Sequence, residues 1–374
     1  MGTLYLDHAA TTPVRPQARA AMEPFLGESF GNPSGIHSVS QRAKNALEEA
    51  REQAASLIGA AHPLEIVFTG GGSEADNLAV KGAALVGGER RGVVTTAVEH
   101  EAVIASAEFV RSLGCEVTVV GVDGTGKADP SAIADAVGPT TGVVSVMAAN
   151  NETGITQPLL KIADEVRSKS GDVVIHTDAV QAFVSEEVAV SGVDMLSLAA
   201  HKFGGPQGVG LLYVANGVKL EPAVHGGGQE LGRRSGTHNV AGIVGMVAAM
   251  TAAVADREDF RRRVGAIRNE FEEALAEGLP DVRFTSPQED RLVQHSHFRI
   301  PGVDAETLLI RLDAGGVAAA AGSACHSGAL EVSHVLSAMG MSDEAASESV
   351  RISFGWTNRP EDAAAAAAAI VTAR

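Results

Sequence analysis

The sequence predicts an α/β protein, with a large α/β/α domain around a mainly parallel central sheet and a smaller α+β C-terminal domain. Three observations carry this expectation. Short β-rich runs alternate with helix-like stretches through the first half of the chain. Several of those runs are apolar throughout rather than alternating, as in a parallel sheet buried on both faces. From Val240 onward the alternation gives way to a long helical stretch and scattered short strands. With 374 residues, 45% of them apolar, the chain has enough material for two domains with substantial cores.

Residues 65–69 (EIVFT) read as the first strand, followed by a glycine turn and a helix over 73–86. Residues 92–96 form a second strand, and 101–113 a helix with apolar spacing near 3.6. Residues 115–120, 142–148, 173–176, 195–199 and 208–214 continue the strand series. The helical stretch 240–276 is interrupted by DREDFRRR, which reads as a domain junction near residue 255. The reading is a large domain over 15–255, and a small domain built from 1–14 and 256–374. Beyond the junction, 283–285, 296–300 and 350–354 are strand-like and 305–314 helical. The alanine-rich end DAAAAAAAIVTA predicts a terminal helix, alanine having the highest helix propensity.

Charge and cysteine usage narrow the function. Asp and Glu number 46 against 29 Lys and Arg, giving a formal charge of −17. Such a surface repels nucleic acid and anionic membrane. Two cysteines, Cys115 and Cys325, support neither a disulfide framework nor a four-cysteine zinc site. MGTLYLDHAATTP lacks the basic start and long apolar core of a signal peptide, and no apolar run approaches the roughly 20 residues that span a bilayer. The expectation is a cytoplasmic enzyme.

The most informative segment is SLAAHKFGGPQGVG, residues 197–210. A buried-looking strand runs into His201 and Lys202, then a glycine-rich loop. A desolvated lysine titrates low enough to act as an amine nucleophile and form a Schiff base with an aldehyde. Taken alone it reads equally as a lysine extending out of a loop. Asp178 follows the strand VVI, where a carboxylate at the C-terminal edge of a parallel sheet points into the ligand crevice. Pyridoxal phosphate enzymes pair a Schiff-base lysine with such an acid. Alone, Asp178 also reads as a helix N-cap. In TGGGSEADN, glycines and a helix start form an anion site, so Gly72 and Ser73 would cradle a phosphate. No Walker loop is present, and Gly124–Lys127 (GTGK) reads as a turn.

These segments resemble a known family. LDHAATTP, GNPSGIHSVSQRA, TGGGSEADN, Glu99-His100, NNETG, HTDAVQ, AHKFGGPQGVG, GGGQELGRRSGTHN, GSACHSG and SVRISFG occur in the order found in cysteine desulfurases. Those are fold-type-I pyridoxal phosphate enzymes of the class-V aminotransferase branch. The loop around Cys325, followed by LEVSHVL, resembles the branch with a long cysteine loop. The resemblance runs from Leu6 to about Gly355.

The resemblance implies roles. Lys202 would hold pyridoxal 5'-phosphate and act as base on the substrate α-carbon. Asp178 would pair with the ring nitrogen, Gln181 with the ring hydroxyl, and His100 would stack on the ring. Gly72, Ser73 and His201 would bind phosphate, with Thr237 reaching the phosphate of a second subunit in a homodimer. Asn150, Asn32 and Arg351 would fix the carboxylate of L-cysteine, arginine suiting that bidentate task. Cys325 would take the sulfur as a persulfide, leaving alanine, and pass it to an iron–sulfur scaffold or a tRNA-thiolation enzyme. Three positions depart from the family: Ala199 replaces a phosphate-binding hydroxyl, Val332 a proline and Trp356 an arginine.

Other readings compete. Cys325 alone could be a buried small residue, although flanking Gly322, Ser323, His326 and Gly328 favour an exposed reactive thiol. Cys115, in CEVTVV, reads as core. His295 and His297 share one strand face but lack a third ligand nearby, which favours structure over metal. His8 and His176 stay undecided. An aminotransferase, or a selenocysteine or other β-elimination lyase of the same fold, would need Lys202 and Asp178 but not Cys325. A catalytically idle scaffold would need none of them.

Overall fold

Alternate side chains of the central strands enter different cores, and that alternation builds the molecule. The computed structural model describes residues 3–287, 289–321 and 332–374. Seven strands form the main sheet: β1 (Ile66–Thr69), β2 (Gly92–Thr96), β3 (Val117–Val120), β4 (Thr141–Ser145), β5 (Val174–Asp178), β6 (Met195–Ala199) and β7 (Gly210–Val214). Their order is β1-β7-β6-β5-β4-β2-β3. Val67, Val93, Val143, Met195 and Leu212 face one core, shared with helices Gly72–Leu85 and Glu101–Ser112. Ile66, Phe68, Leu196, Leu198 and Leu211 face another, closed by helix Ser38–Ile58 and the first half of helix Val240–Gly278. The same face continues over Val94, Val144 and Ile175 under helix Leu159–Lys169. The result is three layers, α/β/α.

Six strands run one way and β7 runs against both of its neighbours, β1 and β6. Its residues are buried throughout, so an apolar run here marks burial on two faces rather than strand direction. The return is short: β6 ends at Ala199, and residues 200–209 turn the chain back to Gly210. Gly210 is forced by packing. A Cβ there would lie 2.6 Å from Leu198 O and 2.7 Å from Gly71 C, so β7 touches both β6 and the turn after β1.

The small unit is a four-stranded antiparallel sheet with Ser349–Ser353 between Ala320–Ala321 and His295–Arg299, and Arg283–Phe284 on the far edge. Its core holds Phe271, Phe298, Phe354 and residues of helices Ala305–Ala314 and Glu361–Ala373. Leu6 belongs to this core, and Leu4–Tyr5 pair in parallel with Val317–Ala318. The expected break at DREDFRRR does not occur. Val240–Gly278 is one helix of 39 residues, and the burial changes instead: Ala253 packs on the large core and Phe260 on the small one. Charged residues between them lie where the helix passes from one core to the other. This helix is long and apolar enough to cross a membrane by composition, yet over half of its most apolar window is buried in the protein. Cys115 is buried beside Val93 and Val110, as expected of a core residue.

Gly210→Ala should therefore cost several kcal/mol, because the new methyl meets backbone on two sides. Denaturant unfolding of the variant checks this; stability within about 0.5 kcal/mol of wild type would show that the strands separate freely.

Candidate active site

Five ends of the main sheet meet at one edge, and each delivers a polar group. Thr69 ends β1 before the Gly70–Ser73 turn, Glu99 and His100 follow β2, Asn150 and Asn151 follow β4, Asp178 ends β5, and His201 and Lys202 follow β6. Between these ends lies a cavity of about 210 Å³ lined by Gly72, Ser73, Asp76, His100, Asn151, Asp178, Gln181, Ala199, His201 and Lys202 among others. This is the crevice outside the carboxyl ends of the strands where α/β proteins bind ligands.

Lys202 is held by backbone. Its Nζ donates to Ala9 O at 2.6 Å and Ala10 O at 2.8 Å, so the N-terminal segment fixes the amine. Gln181 Nε2 donates to the same Ala9 oxygen at 3.0 Å. Asp178 accepts from the Val180 N–H at 2.9 Å. Burial pushes its carboxyl up, against the pull of His100 and Lys202. His100 caps the helix that follows it, Nδ1 accepting from Ala102 N at 3.1 Å. Burial lowers its pKa while Asp178 raises it. Burial, with the Lys202 charge, takes His201 down to about 4.

The phosphate-turn expectation has matching local structure. Helix Gly72–Leu85 begins at the turn, Thr69 Oγ1 donates to Gly71 O, and Glu74 Oε2 accepts from Gly70 N at 2.9 Å. A Cβ on Gly72 would lie 3.1 Å from Val180 and 3.2 Å from Ala199, so the turn sits tightly on the end of β6. At Ala199 a methyl, not a hydroxyl, lines the cavity.

Other expected residues are placed differently. Asn150 is buried and its amide is spent on backbone: Nδ2 donates to Val98 O after β2, and Oδ1 accepts from the Glu152 and Thr153 N–H groups of its own turn, all at 2.9 Å. Asn151 lines the cavity in its place. Asn32 is exposed and accepts from Ser34 N at 3.0 Å, capping its own turn. Arg351 is buried in the small sheet, with Nη2 on Asp7 Oδ1 at 2.7 Å and Nη1 on Asn151 O at 2.9 Å. Its Nε has no partner among the described residues. Thr237 is exposed on the loop before helix Val240–Gly278. Trp356 donates to Pro13 O at 3.2 Å and stacks under the Arg15 guanidinium. Cys325 lies outside the described residues. The described chain on either side is anchored: Ala321 pairs with Val350, Ser333 Oγ donates to Glu152 at 2.6 Å, and His334 Nε2 donates to Glu99 O at 3.0 Å.

Beneath Asp178 lies a buried polar layer. His176, two residues earlier on the same strand face, bridges Ser145 Oγ at 2.8 Å and Ser197 Oγ at 3.0 Å. Its Nε2 is 3.7 Å from Asp76 Oδ1, an atom with no hydrogen-bond partner among the described residues. Burial, Asp178 and Glu99 all push Asp76 well up, and burial pushes Glu99 up to about 8. An acid beside the apolar positions Ala75, Leu78 and Ala79 near the start of the helix is the available signal for Asp76. The i, i+2 spacing of His176 and Asp178 was the signal for His176.

Residues 4–365 match the family described as aminotransferase class-V. The chain belongs to that family. A cysteine desulfurase IscS of Dictyoglomus turgidum is 42% identical over 362 residues, covering 96% of this chain and 91% of its own. A solved structure described as a NifS-like protein superposes with a TM-score of 0.93 at 33% identity, covering 99% of this chain and 98% of its own. SspA in complex with cysteine gives 0.83 at 34% identity, over 94% and 99%. Within the class-V aminotransferases the chain therefore groups with the cysteine desulfurases, which use pyridoxal 5'-phosphate. The cavity fits that class-V cofactor. The turn at Gly72–Ser73 presents a helix start to a phosphate, and the surplus of buried carboxyls at Asp76 and Asp178 suits a ring that carries positive charge.

Glu99 generates a pH prediction. Its folded value near 8 lies above the ordinary glutamate value of 4.5, so between them the folded protein keeps a proton that the unfolded chain releases. Glu99 thus costs stability that grows as pH rises through that window. Glu99→Gln keeps an acceptor for Thr96 and Met147 and removes the titration. In cofactor-free protein the melting temperature of the variant, relative to wild type, should climb from pH 5 to pH 8. A flat difference would place Glu99 at its ordinary value.

Proposed function

We propose that the protein removes sulfur from L-cysteine with Cys325 as acceptor, as a homodimer, and passes that sulfur to a second protein. The observation that carries this reading is the cavity where Lys202, Asp178, Gln181 and His100 meet the Gly72–Ser73 turn. The proposed roles are those the family implies, and the shared cavity supports them. Lys202 would bind the aldehyde of pyridoxal phosphate and move a proton at the substrate α-carbon. Asp178 would pair with the ring nitrogen, Gln181 with the ring hydroxyl and His100 with the ring face. Gly72, Ser73 and His201 would hold the phosphate, and neutral His201 offers an N–H for it. Arg351 and Asn151 would hold the substrate carboxylate. The bound cofactor supplies an electron sink for the pair left at the substrate α-carbon.

Sulfur transfer needs a thiolate. The Cys325 sulfur bonds to the substrate sulfur as the substrate C–S bond breaks. The electron pair of that bond stays with the carbon and takes up a proton, leaving alanine and a protein persulfide. A low-pKa, accessible thiol is suited to this attack. Buried Cys115 is not. The proposed acceptor is an iron–sulfur scaffold or a tRNA-thiolation enzyme of the cytoplasm, and the proposed dimer places Thr237 of each chain at the other's phosphate. A loop with an exposed threonine and an exposed Leu231 supports that dimer reading.

Two experiments test the assignment. Lys202→Ala should abolish turnover and the visible absorption band, while the phosphate turn retains some cofactor. Normal turnover would remove Lys202 from the reaction. Cys325→Ser should bind cofactor and L-cysteine but yield no persulfide by mass spectrometry, whereas Cys115→Ser should behave as wild type. Alanine and sulfide formed at the normal rate by Cys325→Ser would refute the thiol route and favour an elimination lyase.

A further inference from the structure

The segment 226–239 is held more firmly than its glycine-rich sequence implies. Glu230 and Leu231 are the only non-glycine residues at positive φ among the described residues, at 51° and 58°. L residues adopt that region only where the surroundings over-determine it. Here the surroundings are a buried ion cluster. Arg51, on helix Ser38–Ile58, forks onto both Glu230 oxygens at 2.7 Å. His238 Nε2 meets Glu230 Oε1 at 2.7 Å, and the Phe68 N–H of β1 donates to Oε2 at 3.2 Å. Glu230 is only 6% exposed, and these partners hold its carboxyl down at about 2. Arg51 also lies over the Phe68 ring, 4.7 Å from its centroid.

The cluster brackets one residue. His238 grips Glu230, and Asn239 caps the next helix by accepting from Gly242 N at 3.0 Å. On the other side, Gln229 accepts from Gly236 N at 2.9 Å. Thr237, between these anchors, is exposed, and its side chain makes no hydrogen bond among the described residues. A second link runs to the chain's own phosphate turn: Arg234 Nε donates to Glu74 at 2.7 Å, and Glu74 also holds Gly70 N.

We propose that Glu230 is a positioning residue for Thr237: the Arg51–Glu230–His238 clamp sets the loop so that Thr237 reaches the cofactor phosphate bound by a second copy of this chain. This rests on the shared-site reading above. The fork from Arg51 fixes the carboxylate in both position and plane, which a single contact would not do. His238 then transmits that position to its neighbour Thr237. Because Arg234 and Glu74 tie the same loop to the home turn, the test separates an effect on the second copy from one within the same chain.

Heterodimers carrying two different tags separate them. When one chain bears Lys202→Ala, Lys202 of the other chain marks the single site that gives a visible Schiff-base band, and titration of that band gives its cofactor Kd. With Glu230→Gln added to the Lys202→Ala chain, the intact site receives its Thr237 from the altered loop. Its Kd should rise about tenfold against the Lys202→Ala reference heterodimer. With Glu230→Gln moved to the chain with intact Lys202, Kd should stay near the reference. Arg51→Lys, which keeps the charge and loses the fork, should follow the same pattern with a smaller rise, and replaces Glu230→Gln if that chain fails to fold. An effect seen only within the chain that carries the substitution, or in neither arrangement, overturns the proposal. Thr237→Asp in the same two arrangements tests the underlying reading. If it weakens only its own chain's site, the shared site itself fails, whatever Glu230 does.

Discussion

Charge balance among buried groups is the constraint on which the rest of the site depends. Asp76, Glu99 and Asp178 are all buried and pushed toward their neutral forms by that burial, Asp76 and Glu99 also by the carboxyl of Asp178. Carboxylates removed from water need paired charge or hydrogen bonds. The protein offers Lys202 at the cavity wall, with its amine held by the carbonyls of Ala9 and Ala10. Sheet register places the opposed charges on adjacent strands: Asp178 pairs with Ser197, and the chain reaches Lys202 five residues later. A cationic ring held by Asp178 would complete the balance that the side chains leave open.

The same constraint explains what lies under Asp178. His176 could have been a ligand or a base, but burial holds it neutral, down to about 3, and two serines occupy both ring nitrogens. It therefore acts as a rigid spacer that orients hydroxyls beside Asp76 and Asp178. Neutral dipoles can surround an acid in low dielectric without adding a charge that itself needs a partner.

Much of this was legible in the residues, and the reasons for the exceptions are physical. Strand positions and the helix starts at Gly72 and Glu101 follow from apolar period and glycine turns, which are local signals. The direction of β7 was not legible, since burial on both faces looks alike in either direction. The charged run in 240–278 looked like a break because composition shows solvent contact but not hydrogen bonding, and the helix continues through it. Asn150 and Asn151 are adjacent amides, and only the turn geometry decides which one is spent on backbone. Arg51 and Glu230 lie 179 residues apart, so no local pattern could pair them.

The N-terminal segment joins the two cores at the point where chemistry would occur. Leu4 and Tyr5 extend the small unit by pairing with Val317 and Ala318, Asp7 holds Arg351, and Ala9 and Ala10 hold Lys202. A few residues therefore set the spacing between the amine on the large sheet and the guanidinium on the small one. Asp7 orients Arg351 and also competes with any carboxylate that approaches it. In the proposed role of Arg351, an incoming carboxylate would meet a guanidinium already aimed, whose buried Nε has no partner among the described residues, and would share or displace the Asp7 contact. Carboxylate binding there would be coupled to the segment that anchors Lys202. A change in one contact is felt at the other through the short turn that follows Asp7, where Ala10 N donates to Asp7 O at 3.1 Å, rather than across a deformable core.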